Sequence, residues 1–360
     1  MAKEVIKENK NDVKEFIDRL LDSHISLAIV TTHRNADPDA VASVYAFNHL
    51  LKKIKGNVRI LNVLPEGLSA VSKRLIEYLN VSLELLGPSD ISTDILKNVD
   101  AIIVLDTCSS EQLGPLKDIL KERYRQVRIF VIDHHFAHKD LAELAYAILI
   151  LKDARATAEI IYTLYDYLNI QPTEDAANLL LAGIVYDTRH FILARAETFN
   201  VVASLIKYGA KYTTVLKALQ SKMETPEKIA RLKAAQRMQI HRIDKWIIVT
   251  THVGAYEASA ARALLDLGAD VAFVASEDKG EVRVSVRARD EFYRETGIHL
   301  GRDIMKPLGE FLHGGGGGHE TAAAASGRGS AELALIKCIE LLKDLIRKTK
   351  EKGKEEEKKV

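Results

Sequence analysis

Apolar runs that end in histidine or aspartate recur through the first half of this 360-residue chain. Val127-Arg-Ile-Phe-Val-Ile132 leads directly into Asp133-His134-His135, and Ile25-Ser-Leu-Ala-Ile-Val30 leads into His33-Arg-Asn-Ala-Asp37-Pro-Asp39. Ala101-Ile-Ile-Val-Leu105 is followed by Asp106, and the apolar, helix-like stretch Leu179 to Tyr186 is closed by Asp187. Short continuous apolar runs read as strands buried on both faces, as in a parallel sheet. Ionisable residues at their carboxyl ends lie where open α/β sheets keep their chemistry.

Strand-like runs at 25–31, 57–63, 101–105, 127–132 and 145–151 alternate with amphipathic stretches such as Ala40–Lys53, Gln112–Arg125 and Thr157–Leu168. Alternation of this kind predicts βαβ units and an α/β fold with a mostly parallel sheet in an N-terminal domain, residues 1–196. A helical connection follows at 197–240. A smaller α/β domain, 241–348, opens at Trp246-Ile-Ile-Val-Thr250 and continues through a helix, Ala258–Leu267, and a hairpin-like pair, Val271–Ala275 and Glu281–Arg289. It closes with the glycine run 314–318 and a helix from about Ala331 to Lys348. The tail, 349–360, mixes lysine and glutamate and reads as disordered or as a frayed helix end. Ile-Val-Thr-Thr-His recurs at 29–33 and 248–252, but no carboxylate follows the second copy before Glu257, so His252 reads as a structural strand-end residue.

Bulk properties narrow the classes of function. A hydrophobic fraction of 47% with 28% charged residues is that of an ordinary globular protein. No apolar stretch is long enough to span a bilayer, and the N-terminus lacks a signal-peptide pattern. Two cysteines, Cys108 and Cys338, cannot build a disulfide framework and point to a reducing, cytoplasmic setting. Cys108 reads as a small buried residue rather than a ligand. A net charge of +1 gives no global basic field for long nucleic acid and favours small or short substrates.

The ionisable residues point to a metal cluster. His33, Asp37 and Asp39 share one short loop in which Pro38 fixes a turn. Capping alone would explain any single position, but four separate strand or helix ends supply the set. Imidazole and carboxylate without thiolate suit Mn²⁺ best, with Mg²⁺ or Co²⁺ as alternatives, rather than structural zinc. The carboxylates are too many for one divalent ion and match two, an arrangement that clamps the attacking and leaving oxygens of a phosphoryl displacement.

These residues resemble the four motifs of the DHH phosphoesterase superfamily, in order: His33-x3-Asp37-x-Asp39, Asp106-Thr107, Asp133-His134-His135 and Tyr186-Asp187-Thr188. The resemblance spans about residues 20–330. Gly314–Gly318, His319 and Ala322–Ala325 look like the glycine cluster, histidine and small-residue helix of the first type of DHH-associated domain, which argues against a family-II pyrophosphatase. In size the chain is similar to short oligoribonucleases and phosphoadenosine phosphatases, and shorter than RecJ-like exonucleases. Two departures are a longer glycine run and Ser326-Gly327 where the family has a glycine. The resemblance implies one metal on His33, Asp37 and Asp106 and a second on Asp39, Asp106, His134 and Asp187. It also implies that Asp133 orients His134, and that His135 contacts the scissile phosphate or protonates the leaving oxygen.

On the substrate side, Val282, Val284, Val286 and Ala288 alternate with Arg283, Ser285, Arg287 and Arg289. That alternation fits either a half-buried strand with a solvated basic face or a phosphate-binding face. Ser285-Val-Arg287 resembles the family's substrate-binding Ser-x-Arg, which favours Arg287 and leaves Arg283 and Arg289 open. Gly315, Gly316, Gly317 and Gly318 with His319 form either a flexible loop or an anion cradle backed by the N-terminus of an alanine-rich helix. Arg328 and His313 are neighbours without an assigned role.

The function expected is a two-metal exonuclease acting on short single-stranded oligonucleotides in an interdomain cleft, with activity on nucleoside 3',5'-bisphosphates and room for a homodimer. The alternatives are a phosphodiesterase for cyclic or linear dinucleotides, and a non-catalytic protein that binds nucleic acid or a replication partner. The last would be expected to have lost ligands, and none is missing here.

Overall fold

The computed structural model describes residues 10–107, 109–135, 139–220 and 223–357. Cys108 lies outside the described residues. The chain divides into two compact units, Met1–Ser221 and Lys222–Val360. Among the described residues no helix is long and apolar enough to cross a membrane.

The first unit runs α1 (Lys10–Asp22), β1 (Leu27–Thr31), α2 (Pro38–Lys55), β2 (Arg59–Asn62), α3 (Ala70–Leu79), α4 (Thr93–Lys97), β3 (Ala101–Leu105), α5 (Leu116–Arg123), β4 (Arg128–Asp133), α6 (Lys139–Ala142) and β5 (Ala147–Ile150). Four helices complete it: α7 (Thr157–Tyr167), α8 (Glu174–Asp187), α9 (Ala196–Lys207) and α10 (Tyr212–Leu219). The five strands form one parallel sheet in the order β2-β1-β3-β4-β5. Every residue of β3 is buried, as the unbroken apolar run Ala101–Leu105 requires of a central strand covered on both faces. One core lies under α1, α2, α7 and α8, around Phe47, Phe130 and Tyr165, and a second under α5, around Ile102, Val104 and Val131. The strand order reverses between β1 and β3, which makes the carboxyl ends of those two strands the expected place for a ligand crevice.

The second unit runs α11 (Thr225–Arg237), β6 (Gln239–Ile243), β7 (Trp246–His252), α12 (Glu257–Asp266), β8 (Val271–Asp278), β9 (Glu281–Ala288) and α13 (Asp290–Thr296). A π-helical segment, Leu300–Met305, precedes α14 (Lys306–Phe311), β10 (Gly315–Gly318), β11 (Ala322–Arg328) and α15 (Ala331–Glu357). Its sheet is mixed, β10-β11-β9-β8-β7-β6, with β7 and β8 parallel and the other neighbours antiparallel.

One expectation is corrected here. The segment Ala322–Ala325 is a strand and not a helix, so no helix N-terminus lies behind His319. Its backbone pairs with β9 on one side and β10 on the other, while Ala323 and Ala325 are 4% and 3% exposed against Val284 and Val286. Two ladders and a buried small-residue face outweigh alanine's helix propensity. The final helix runs past Lys348 to Glu357, in line with the helix-end reading of the tail rather than the disordered one, lysine and glutamate being strong helix formers.

Candidate metal centre

Each ligand candidate hangs from the end of a rigid element. His33 follows β1, Asp106 follows β3, Asp133 to His135 end β4, and Asp187 closes α8. Asp37 is the N-cap of α2, its Oδ1 accepting from the amides of Asp39 and Ala40 at 2.9 and 3.1 Å, with Pro38 at the first helical position. Capping is thus real, and it aims the same carboxylate at its neighbours.

Two groups of three assemble, His33/Asp37/Asp106 and Asp39/His134/Asp187, and in each the ligand atoms lie within 4.8 Å of one another. Asp106 faces both. Its Oδ2 is 3.6 Å from His33 Nε2 and its Oδ1 is 3.6 Å from His134 Nε2. His134 Nε2 also stands 3.1 Å from Asp187 Oδ2. His33 Nδ1 donates to the Arg34 carbonyl at 2.7 Å, which leaves Nε2 for a metal. Asp106 itself has φ +53, a left-handed conformation that costs a non-glycine residue about 1–3 kcal/mol and is concentrated at functional sites.

The electrostatics call for cations. Asp39 is fully buried, and its pKa is held well above the usual carboxylate range by that burial and by the charges of Asp106, Asp187 and Asp37. Asp187 is raised as well, by burial first and then by Asp106 and Asp37, against the lowering effect of His134. Burial would lower the pKa of His33, but hydrogen bonds to Asp106 and Asp37 push it up to about 11. Asp133 Oδ2 is buried without a hydrogen-bond partner, and the buried His134 Nε2 meets only the carboxylates of Asp187 and Asp106. A carboxylate-rich cluster that pulls in protons, with a buried imidazole nitrogen turned towards it, fits hard or borderline divalent ions.

Asp133 does not orient His134 as expected. Its Oδ1 accepts from His135, from the backbone N–H at 2.9 Å and with Nδ1 at 3.0 Å. The carboxylate belongs to the third residue of the triplet, whose side chain is 57% exposed. The Asp133 hydrogen bond outweighs partial burial and raises the His135 pKa.

Several contributors carried no recognisable sequence signal. The first turn of α7 clasps the site, with the Thr157 and Ala158 amides donating to Asp39 Oδ2 and Oδ1 at 2.6 and 2.9 Å and Thr157 Oγ1 donating to Asp106 Oδ1 at 2.9 Å. Free amides and the helix dipole favour a carboxylate at that end. Gly183 on α8 leaves room for Asp39, since a Cβ there would sit 2.7 Å from Asp39 Oδ1 and 3.2 Å from the Ala158 Cβ. The second unit shows a similar surprise. Burial and then the neighbouring charge of Arg262, on α12, lower the pKa of Arg287. Arg289 is occupied structurally, donating to the Leu265 and Ala269 carbonyls at the end of α12. In the glycine run, a Cβ at Gly316 would overlap the Met305 carbonyl and one at Gly318 would lie 2.6 Å from the Ala322 oxygen, while Gly315 and Gly317 face open space. His319 is exposed, its amide bonded to the Ala322 carbonyl at 2.9 Å.

Comparisons with known proteins agree with this architecture. Residues 28–184 match the DHH family, N-terminal domain, and residues 246–348 match the DHHA1 domain. An uncharacterized protein of Methanocaldococcus jannaschii is 35% identical over 81% of this chain and 84% of its own length. The cyclic-di-AMP phosphodiesterase GdpP of Geobacillus thermodenitrificans is 27% identical over 82% of this chain but only 44% of its own length. The bifunctional oligoribonuclease and PAP phosphatase NrnA of Thermus thermophilus is 28% identical over 55% of this chain and 58% of its own. With the DHH and DHHA1 matches covering both units, and with a histidine and carboxylate cluster at the strand ends, the chain belongs to the DHH family and is a metal-binding hydrolase acting on phosphoester bonds.

Proposed function

We propose that the protein is a two-metal phosphodiesterase that removes terminal nucleotides from short oligonucleotides and also hydrolyses nucleoside 3',5'-bisphosphates. The observation that carries this reading is the pair of ligand groups meeting at Asp106, beside the exposed His135 seated on Asp133. His33, Asp37 and Asp106 would hold one ion, and Asp39, Asp106, His134 and Asp187 the other, Mn²⁺ being the best fit to this donor set. Bound divalent ions supply Lewis-acid polarisation of the phosphoryl oxygens and a lowered water pKa.

The chain's own residues do the rest. The amides of Thr157 and Ala158 hold Asp39 in place, so its carboxylate does not have to reorganise. Asp133 favours the protonated form of His135, which suits a general acid for the leaving oxygen. Arg287 grips a substrate phosphate, and the charge of Arg262 on α12 adds to the positive field felt at Arg287. Gly315 and Gly317 need no side chain for packing and have only open space above them, which lets a ligand approach the backbone next to His319. The name of the Thermus relative supports the nucleotide substrates. The longer alignment with GdpP favours a second reading, a cyclic dinucleotide phosphodiesterase.

The deciding experiment incubates the Mn²⁺-loaded protein with end-labelled RNA and DNA oligomers of graded length, a nucleoside 3',5'-bisphosphate and a cyclic dinucleotide, with Asp106→Ala as control. Stepwise loss of terminal nucleotides, absent in the variant, is expected. Turnover of the cyclic dinucleotide alone would move the assignment to the second reading. A metal-loaded protein that turns over nothing would sink both.

A further inference from the structure

We propose that a cleft on the second unit binds an internal phosphate of a single-stranded oligonucleotide whose end is held at Arg287; this rests on the nucleotide reading above. The cleft is about 650 Å³ and takes in Ser276, Arg283, His313, Gly315, Ser326 and Arg328. Three of these carry or can carry positive charge, and among the described residues no hydrogen bond or ion pair engages the side chains of Arg283, Arg328 or His313. Three other arginines of the unit are occupied: Arg289 holds the end of α12, Arg231 pairs with Glu227, and Arg302 pairs with Asp303. Arg328 stands directly across from Glu281 in the β11–β9 ladder and still forms no ion pair with it. Cations left unpaired around a concave surface are placed to receive an anion.

Strand register sets the distance to Arg287. Arg283 and Arg287 are four residues apart on β9 and therefore on one face, at ~3.4 Å per residue roughly 13–14 Å apart along the strand. The row through Arg283 runs Gly315, Ser326, Arg283, Ser276 across four strands, and the next row on that face is Gly317, Ala324, Ser285, Val274. On this face Ser285 and Val274 are buried, at 2% and 0% exposed, with Val274 packed against α12, so a strand crosses instead over the exposed Gly317 on β10 and the half-buried Ala324 on β11. A stacked strand rises ~3.4 Å per nucleotide, so the span corresponds to at most about four nucleotides, and fewer in an extended strand. A dinucleotide or a bisphosphate is too short to bridge it. Asp278 and Glu281 border the far end of the cleft at the β8–β9 hairpin, where a further phosphate would be repelled. The site thus adds affinity for chains of intermediate length and none beyond.

The test is equilibrium binding of the full chain, in EDTA so that nothing is cut, to fluorescently labelled RNA of two, four and six nucleotides. Wild type is expected to gain affinity between two and four nucleotides and little more at six. Arg283→Ala with Arg328→Ala should lose that gain and leave the dinucleotide unchanged. The dependence of log K on log salt for the longer strands should flatten by about 0.7 for each phosphate that the variant no longer neutralises. Arg283→Gln with Arg328→Gln serves as a second variant that keeps side-chain bulk should the alanine pair fold poorly. Equal losses at every length, or none at any length, would overturn the inference while leaving the nucleotide reading intact. Wild type that binds no oligomer and cleaves none would instead overturn that reading itself.

Discussion

Gly183→Ala places one methyl group at the junction of α2, α7 and α8. Its Cβ would lie 2.7 Å from Asp39 Oδ1, 3.0 Å from the Asp39 Cα and 3.2 Å from the Ala158 Cβ. Ordinary contact begins near 3.4 Å, so the carboxylate must retreat by about 0.7 Å, the difference between 3.4 and 2.7 Å. It cannot do so freely, because both oxygens are bonded to the amides of Thr157 and Ala158. Two stability terms oppose each other: overpacking costs about 1–3 kcal/mol, and glycine to alanine inside a helix returns about 1 kcal/mol. The metal-free variant should therefore lose no more than about 2 kcal/mol of stability. Metal affinity should suffer more, since disturbing groups that orient metal ligands typically costs about 10–100-fold. Isothermal titration with Mn²⁺, alongside thermal unfolding in EDTA, separates the two effects. A variant that unfolds nearly as wild type and also binds Mn²⁺ with unchanged affinity at every site would refute the reasoning.

Two further outcomes follow from the site. His33 is held at about 11 in the folded, metal-free protein against an ordinary value of 6.5, so above pH 6.5 the fold binds more protons than the unfolded chain. Stability in EDTA should accordingly fall as pH rises through that window, the raised pKa values of Asp39 and Asp187 acting in the same direction from lower pH. The stabilisation conferred by Mn²⁺ should grow over the same range, with proton release detectable by calorimetry in buffers of differing ionisation enthalpy; metal binding without proton release would contradict the assignment of His33 as a ligand. His135→Asn should slow turnover by about 10²–10⁴ if the imidazole acts as general acid, with Mn²⁺ affinity unchanged. An accompanying loss of metal would instead make His135 a ligand, as its place among the atoms around Asp106 and His134 also allows.

Much of the first unit is readable from local pattern. Buried parallel strands need unbroken apolar runs, and the alternation of those runs with amphipathic stretches leaves few topologies open. The ligand types were legible for a related reason: a polar residue at one strand end is ordinary, but histidine and carboxylate at four separate strand or helix ends together are not. So His33, Asp37, Asp39, Asp106, His134 and Asp187 stand out in the sequence, and the structure brings each of them into one of two groups.

Spacing could not say which polar group serves which. Asp133 sits beside two histidines in the chain, and only the backbone turn after β4 gives its oxygen to His135 rather than to His134. The amides that hold Asp39 come from residues 157 and 158, more than a hundred positions away, and Gly183 matters only because α8 crosses α2 at that point. Arg262 reaches Arg287 from a different element, and the alanines after His319 become a strand because two neighbouring strands take their backbone hydrogen bonds. Local sequence determined the elements, the strand ends and the chemical kinds of ligand, because these follow from side-chain period and burial. Pairing, clearance and charge balance inside the site were decided by tertiary structure, because they depend on distances between segments that the chain's own order does not contain.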